Sequence, residues 1–232
     1  MISKDFNPSI THPAYLTRKN LHNAIKIEAE KLQGILLDFG CGSKPYKALF
    51  NVTDYIGVDF ENPGHPHLNE NIDFFYNGHD IPFQDNYFDC IFSSEVFEHV
   101  FNLPQILLEI NRVIKKDGLI LITCPFAICE HEIPNDFARY SHYGLTHLLQ
   151  QSGFEIISFQ KTSNSIETIF QLWITYLNLH VFSLVGKIPI LRSIIKILGN
   201  SCLNLLALAF SFLLPTTKDL YLNNVVLAKK IK

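Results

Sequence analysis

The stretch Leu36–Tyr46, LLDFGCGSKPY, decides how the fold of this chain is interpreted. Its first residues continue an apolar run that begins at Ile35, and a short run of this kind is typical of a buried strand. Gly40 and Gly42 follow at once, and the chain after them can begin a helix. A strand, a glycine turn and a helix N-terminus predict a ligand site at the carboxyl end of a parallel sheet.

The glycine loop differs from two familiar nucleotide-binding loops. It lacks the G-K-[ST] of a Walker A loop, and Pro45 stands where a dinucleotide fingerprint has its third glycine. Asp38, at the entrance of the loop, would repel a pyrophosphate and attract an ammonium or sulfonium group. Because glycines let a ligand lie against the backbone, we infer a nucleoside with a cationic tail, and S-adenosylmethionine fits.

Two further aspartates follow the next predicted strands. Asp59 lies near the end of the apolar run 55–60 and can accept both hydroxyls of a ribose. Asp80 begins the stretch DIPF and can accept from the adenine amino group. A single aspartate at a strand end is also a common turn former, so the prediction depends on the ordered set of Asp38, Asp59 and Asp80.

Apolar runs and helical periodicities alternate outward from the glycine loop. Strands are predicted at 35–39, 55–60, 72–76, 87–94, 119–125, 154–160 and 221–230, and helices at 15–32, 44–50, 103–115 and 141–153. Gly118 is predicted to cap the helix at 103–115. The alternation predicts an α/β fold with a doubly wound, mostly parallel sheet. The last two strands should form an antiparallel edge, with an apolar segment inserted between them.

Four segments together resemble the class I S-adenosylmethionine-dependent methyltransferases of the type 11 group. In chain order they are DFGCGSKPY, YIGVDF, DIPFQDNYFDCIFSSEVFEHV and LLEINRVIKKDGLILITCP. The resemblance covers residues 34–160 and resumes at 221–230. It implies a Rossmann-like sheet of seven strands in the order 3-2-1-4-5-7-6, with S-adenosylmethionine as the cofactor. It implies nothing about the acceptor of the methyl group.

The resemblance also implies which residues bind the cofactor, all at or after the carboxyl ends of strands. They are Asp38, Gly40, Cys41 and Gly42 for the methionine part, Asp59 and Phe60 for the ribose, Asp80 and Ile81 for the adenine, and Ser94 and Glu95 as residues that close over the cofactor.

Candidate catalytic residues should follow the fourth and fifth strands, since methyl transfer needs a positioned nucleophile and a hydroxyl also benefits from a base. They are Glu98, His99, His131 and His142. The spacing of Glu95, Glu98 and His99 would place them on one face of a helical turn, where a divalent metal could bind with His131 or His142 as a further ligand. Terminal-ribose RNA methyltransferases and some quinone-pathway O-methyltransferases resemble this pattern and use a metal there. We assign no metal, because these residues can also simply shape the pocket.

The segment HEIPNDFARYSHYGLTHLL (131–149) has a looser resemblance to a subgroup found near bacterial surface-polysaccharide genes. Arg139 can grip a phosphate or carboxylate bidentately, and Tyr140 can stack on a ring. These two residues and Asp136 are therefore predicted to bind substrate. In the other interpretation, Arg139 pairs with Asp136 and the stretch merely leads into a helix.

Residues 166–215 form an apolar insert, with no charge between Lys196 and Lys218. Helices in the insert could lie in a membrane interface and bring the enzyme to a lipid-linked substrate. They could instead form a lid or a homodimer face, or one of them could span a membrane, which takes about 20 apolar residues. The domains predicted are an N-terminal helical segment at 1–33 and a methyltransferase domain at 34–232 that contains the insert.

The overall composition limits the function and the location of the protein. The net charge is −3 without a basic block, so nucleic acid is not an expected partner. The five cysteines form no CxxC and the N-terminus has no apolar core of a signal peptide, so we expect the cytoplasm, at the inner face of the membrane if the insert binds lipid.

The leading functional hypothesis is methyl transfer to a small or lipid-linked acceptor, such as a surface-polysaccharide sugar or its precursor. One alternative is terminal-ribose methylation of RNA with a metal at ExxEH. Another is an inactive module that only binds S-adenosylmethionine.

Overall fold

The structure, a computed structural model, describes residues 5–60, 70–182, 184 and 189–232. Its strands are β1 Ile35–Phe39, β2 Asp54–Phe60, β3 Phe74–Tyr76, β4 Phe88–Ser94, β5 Ile114–Pro125, β6 Phe154–Lys161 and β7 Asn223–Lys230. Its helices are α1 Tyr15–Ala29, α2 Leu103–Val113, α3 His142–Gln151, α4 Ser165–Tyr176 and α5 Pro189–Leu213.

The seven strands form one sheet in the order β3-β2-β1-β4-β5-β7-β6, as the sequence predicted. β1 is parallel to both of its neighbours, β2 and β4, whereas β7 is antiparallel to β5 and β6. Side chains alternate across β1, so Leu37 packs in the apolar cluster that includes α2 and Leu36 packs in the cluster that includes α1. The doubly wound α/β fold is therefore confirmed.

Two local predictions were wrong. Residues 44–50 form only a short 3-10 turn at Lys47–Leu49 between β1 and β2. Gly118 does not cap α2, which ends at Val113, since β5 begins directly at Ile114 and passes through Gly118. The pairing of β4 with β5 shifts register there, and a bulge takes up the extra residues.

The predicted apolar insert folds as a helical hairpin of α4 and α5, which we call the α4–α5 hairpin. It is held to the N-terminal segment by polar side chains. Gln171 of α4 donates to the Pro13 carbonyl at 2.8 Å, and Asn204 of α5 donates to the carbonyls of Ile10 and His12 at 2.7 and 3.1 Å. The hairpin is therefore fixed to the residues that lead into α1.

Helix α5 has the reverse of the polarity expected for a helix on a water-soluble surface. Asn200 and Asn204 are buried at its contacts with the rest of the chain, whereas Leu198 is 64% and Phe212 is 89% exposed. By length and composition alone, Ile190–Leu213 could cross a membrane. Only 17% of its most apolar window is buried within the protein, so its apolar surface faces outward.

Lys230 fastens the end of β7 to the end of α2. Its ammonium donates to the carbonyls of Asn111 and Ile114 at 2.6 and 2.8 Å, and to Asn86 Oδ1 at 3.2 Å. A cation at this position satisfies carbonyls that a helix C-terminus leaves unpaired. Burial lowers the pKa of Lys230.

Replacing Lys230 with methionine is expected to lower the free energy of unfolding by about 3 kcal/mol, because buried carbonyls lose a charged donor. Urea denaturation would measure it. Lys229→Met is the matched control, because its side chain is 37% exposed and forms an ion pair with the exposed Asp117. Equal stability of the two variants would contradict the fastening role.

Candidate active site

A cavity of about 840 Å³ opens at the carboxyl ends of β1, β2 and β4, within the size range of small-molecule sites. Its walls come from the β1 loop, the end of β2, the turn after β3, the segment after β4 and the start of α1. Predicted residues that line it are Asp38, Gly40, Cys41, Gly42, Asp59, Phe60, Ser94, Glu95, His99 and His131.

The glycine loop is held open toward the cavity. Gly40 and Gly42 both have positive φ, +73° and +44°, a region that favours glycine. A Cβ at Gly40 would collide with the side chain of Val96, whereas one at Gly42 would meet only Glu70 among the described residues, at 3.7 Å. The Gly42 N–H donates to Asp59 Oδ2 at 2.7 Å. The two loops that form this end of the cavity are thus joined by a hydrogen bond.

Asp38 is a buried carboxyl beneath the loop, with an exposed fraction of 3%. It accepts a hydrogen bond from the Tyr55 hydroxyl at 2.6 Å. Burial raises the pKa of Asp38 to about 7, with the nearby Asp59 adding to the shift while the Tyr55 hydroxyl and Lys44 oppose it. A cationic group in the cavity would favour the ionised form of this carboxyl.

Glu95 forms the opposite wall, after β4. It accepts hydrogen bonds from Thr123 Oγ1 at 2.9 Å and from Asn223 Nδ2 at 2.6 Å. Ser94 contacts the same threonine hydroxyl at 2.8 Å, so β4, β5 and β7 together orient this wall. Burial raises the pKa of Glu95 to about 7. With Asp38, Asp59, Glu70 and Glu132, five carboxyl groups of the described residues line the cavity.

The structure does not bring the predicted adenine residues to the cavity. Asp80 is exposed and accepts a hydrogen bond from Asn77 at 3.3 Å, and the Ile81 side chain is buried in the core. In the turn after β3, the described residues that line the cavity are Asn77, Gly78 and His79. The side chains that face a ligand therefore precede Asp80 in the chain.

Sequence reasoning missed a wall of the cavity that comes from the N-terminal segment. Phe6 and Arg18 of this segment line the cavity beside Tyr46 of the β1 loop, and the Arg18 guanidinium lies 4.7 Å from the centroid of the Phe6 ring. Helical spacing located α1 but does not indicate which end of the sheet its charged face would meet. A lone arginine among the other basic residues of α1 gives no separate signal.

Glu98, His99 and His131 converge at the other end of the cavity. His99 Nε2 lies 3.7 Å and His131 Nε2 lies 3.9 Å from Glu98 Oε1. The two imidazole rings meet edge to face with centroids 4.8 Å apart. Burial raises the pKa of the Glu98 carboxyl well above its ordinary value, and the nearby Glu95 adds to the shift.

Two details of this cluster differ from the predictions. Glu95 does not share a helical turn with Glu98 and His99, because its backbone has a φ of +56°. The 3-10 turn at this point contains Phe97–His99 and begins after Glu95. His142 lies outside the described lining of the cavity. Its ring packs against Phe159, with centroids 4.0 Å apart.

Arg139 forms a bidentate ion pair with Asp136, at 2.5 and 2.6 Å. This pair holds the pKa of Asp136 well below its ordinary value. The ion pair expected in the second interpretation of the RYSHYG stretch is thus present, and substrate binding by these residues stays a prediction. The described lining of the cavity contains none of Asp136, Arg139 and Tyr140, and Tyr140 packs partly buried against the core.

Comparisons with known proteins agree with this geometry. Residues 37–122 match the family described as a methyltransferase domain. A glycine/sarcosine/dimethylglycine N-methyltransferase of Actinopolyspora halophila is 40% identical over 48 residues, which are 21% of this chain and 8% of that relative. The matched region is the one that holds the glycine loop, Asp59 and Glu95. The chain carries a class I S-adenosylmethionine-dependent methyltransferase domain.

Solved structures share the fold of this methyltransferase domain across nearly the whole chain. Phosphoethanolamine N-methyltransferase 2 of Haemonchus contortus, in complex with S-adenosylmethionine, is 14% identical with a TM-score of 0.51 and covers 100% of this chain and 61% of its own. The [4+2]-cyclase SpnF is 16% identical with a TM-score of 0.60 and covers 97% and 86%. Because one neighbour is a cyclase, the shared fold does not specify the reaction.

S-adenosylmethionine is the cofactor of this methyltransferase domain, and the cavity fits its charge and shape. The buried Asp38 lies below a loop whose glycines leave the backbone open, and carboxyl groups line both walls. Such a site favours a ligand with positive charge at one end. The Asp59 carboxylate lies at the end of β2, where a ribose hydroxyl can reach it.

The affinity of the methyltransferase domain for S-adenosylmethionine should rise with pH between about pH 6 and pH 8. Below its pKa of about 7 Asp38 is largely protonated, and a cationic ligand must displace that proton. Asp59, Tyr55, Lys44 and Asp73 are the charged and titratable groups that act on Asp38.

Calorimetric titrations across this range would test the pH effect. The same titrations on Asp38→Asn are the control, because ionisation of the ligand itself affects both proteins equally. Because the pKa of Glu95, on the opposite wall, is also about 7, both proteins should show a rise, and we expect a steeper rise in the wild type than in Asp38→Asn. Parallel curves would contradict the role of Asp38.

Proposed function

We propose that the protein transfers the methyl group of S-adenosylmethionine to a hydroxyl of a lipid-linked acceptor, such as a surface-polysaccharide sugar or its precursor, at the inner face of a membrane. The observation that carries this proposal is the outward-facing apolar surface of the α4–α5 hairpin, which is attached to a wall of the cofactor cavity. The reaction class follows from the methyltransferase domain.

The cofactor would be held by residues at the end of β1 and β2. Asp38 and the glycine loop face its methionine part, Asp59 its ribose, and Asn77 and His79 its adenine. Arg18 lines the same cavity and can pair with the carboxylate of the methionine part. When bound, S-adenosylmethionine supplies a methyl group on a positively charged sulfur, which is already a good leaving group.

The acceptor would enter beside His99 and His131. His99 Nδ1 lies 2.7 Å from the Asn135 carbonyl, so this nitrogen carries the proton and Nε2 has a free lone pair. This lone pair can accept the proton of an acceptor hydroxyl. Glu98 Oε1 lies 3.7 Å from the same nitrogen, beside the position of the acceptor, and would stabilise the imidazolium that forms.

The rim of the cavity near these histidines carries three exposed apolar side chains beside polar ones such as Asn102 and Glu132. Phe101, Phe137 and Ile128 line it and are 82%, 45% and 41% exposed. The two phenylalanine rings meet edge to face at 5.3 Å. Exposed apolar side chains beside a polar reaction centre suit an acceptor that carries a hydrocarbon chain.

The α4–α5 hairpin is continuous with the cavity through the N-terminal segment. Asn204 and Gln171 hold residues 10–13, which lie between Phe6 and Arg18 of the cavity wall. Arg192 and Lys196 lie near the start of α5 and can contact anionic headgroups while its apolar side chains enter the lipid. A membrane bound by the hairpin would bring lipid-linked substrates to the same molecule.

The exposed surface of α5 is wider than one flat protein partner would cover. Leu205 and Leu206 are both exposed although consecutive helical residues point about 100° apart. Leu208, Phe212 and Leu213 extend the surface along the helix. Lipid can surround such an arc, which favours a membrane over a homodimer face.

Incubation of the protein with tritiated S-adenosylmethionine and fractionated cell extract tests this function. We expect label in molecules that organic solvent extracts from the membrane fraction. Label only in water-soluble small molecules would replace the lipid-linked acceptor with a small one, and ribonuclease-sensitive label would identify RNA. Absence of transfer to every fraction, with the cofactor bound, would leave only a binding module.

A further inference from the structure

The geometry points to a divalent metal site, unassigned by the sequence, in which Glu98, His99 and His131 are the protein ligands. Their candidate ligand atoms all lie within 4.8 Å of one another, at the acceptor end of the cavity. We infer a cation of the zinc type, because two imidazole nitrogens and one carboxylate oxygen form a donor set typical of catalytic zinc. Glu95 is not part of this set, since Thr123 and Asn223 hold its carboxyl.

The burial of Glu98 is the strongest argument for a cation at this site. Its side chain is completely buried, with an exposed fraction of 0%. In the part of the chain that the structure describes, neither of its carboxyl oxygens has a hydrogen-bond partner. A buried carboxyl without partners is costly in free energy, and a bound cation would remove that cost.

Both histidines present the correct nitrogen to the site. His99 Nδ1 is 2.7 Å from the Asn135 carbonyl, which directs the lone pair of Nε2 toward Glu98. His131 Nδ1 lies 3.2 Å from the Cys129 carbonyl, closer than the Arg139 guanidinium at 3.4 Å. Carbonyl oxygens on the far nitrogen are the usual orienting partners of metal-bound histidines.

The spacing of the ligand atoms is close to that of a tetrahedral site. Bonds of about 2.0–2.2 Å to zinc place neighbouring ligand atoms about 3.3 Å apart. The observed separations from Glu98 Oε1, 3.7 Å to His99 Nε2 and 3.9 Å to His131 Nε2, are close to this value. The whole set lies within 4.8 Å, so the ligands would move closer together when a cation binds. Glu132 Oε2 lies 3.8 Å from His99 Nε2 and can supply a further oxygen or leave that position to the acceptor.

The presence of the metal does not depend on the proposed function; only its role in methyl transfer does. A cation here would bind the acceptor oxygen and favour its deprotonated form, so the histidines would act as ligands and not as bases. The site itself can be tested without an acceptor and without S-adenosylmethionine.

Titration of the metal-free protein with Co²⁺ is the direct test, since tetrahedral Co²⁺ gives strong visible absorption bands. We expect one equivalent to bind with these bands, and Zn²⁺ to displace it. His131→Ala should weaken Co²⁺ binding by more than about tenfold, because loss of an orienting partner alone costs that much. Glu98→Gln should do the same.

His147→Ala is the matched control, because it removes an exposed histidine on α3 and should bind Co²⁺ as the wild type does. Asp59→Ala should also keep the metal while losing cofactor affinity. Circular dichroism would show whether each variant is folded. If the buried substitution Glu98→Gln prevents folding, His131→Ala, at a half-exposed position, still tests the site.

No stoichiometric binding by the wild type, or equal binding by His131→Ala and His147→Ala, would overturn the metal site. Metal binding without methyl transfer to any fraction would count against the proposed function alone.

Discussion

Asp59→Ala is expected to weaken the binding of S-adenosylmethionine by about ten- to a hundredfold. The Asp59 carboxylate lines the cavity and accepts the Gly42 N–H, so it both receives a ribose hydroxyl and fixes the glycine loop. Hydrogen bonds to a charged group contribute about 1.5–3 kcal/mol, and about 1.4 kcal/mol corresponds to a factor of ten in affinity. Isothermal titration calorimetry would measure the change.

Asp80→Ala is the matched control for this prediction. Asp80 was expected from the sequence to contact adenine, but its carboxyl is exposed in the turn after β3. Its removal should leave the affinity within about twofold of the wild type. A larger loss in Asp80→Ala than in Asp59→Ala would mean that the nucleoside lies further along the β3 turn than the cavity indicates.

The second large effect concerns membrane binding. We expect the wild type to float with vesicles that contain anionic lipid, and Phe212→Asp combined with Leu213→Asp to reduce the bound fraction about a hundredfold. Burial of each of these side chains in lipid contributes about 1.5–3 kcal/mol, which both substitutions remove. Because the two side chains are 89% and 69% exposed, the fold should be unaffected.

Ile27→Asp combined with Leu108→Asp is the control for flotation. These side chains are 58% and 60% exposed on α1 and α2, outside the α4–α5 hairpin. This variant should float like the wild type. A wild type that stays unbound, yet forms a dimer that the α5 substitutions dissociate, would replace the membrane with a second copy of the chain.

The order of the strands was predictable because glycine turns, apolar runs and helical periodicities occur in a regular alternation. The residues at 44–50 and Gly118 were predicted incorrectly for a local reason. Short segments between strands have too few residues for periodicity to distinguish a helix from a turn or a bulge. The sequence did not indicate that the strand after α2 begins at Ile114. The pairing of β4 with β5 in the structure shows this start.

The site was predictable where its residues follow strands directly, as with Asp38 and Asp59. The site was less predictable where the conformation of a loop determines which side chains point into the cavity. Asp80 and Asn77 are close in sequence, but of these two residues Asn77 lines the cavity and Asp80 does not. Arg18 was missed because the sequence does not show that the N-terminal segment returns to the carboxyl end of the sheet.

The histidine cluster depended on contacts between distant segments. Helical spacing predicted that Glu95 and Glu98 share one face. The positive φ at Glu95 instead turns its carboxyl toward Thr123 and Asn223, whereas the Glu98 carboxyl lies near His99 and His131. His131 meets His99 only because the segment after β5 folds back over the turn after β4, and the Phe137 N–H donates to the Glu98 carbonyl there.

A crystal of the protein grown with S-adenosylmethionine would show directly whether the cavity binds the cofactor. We expect density for the cofactor in the cavity, with its positively charged end above Asp38 and its ribose hydroxyls at the Asp59 carboxylate. Density at another surface, or an empty cavity at a saturating concentration, would contradict it.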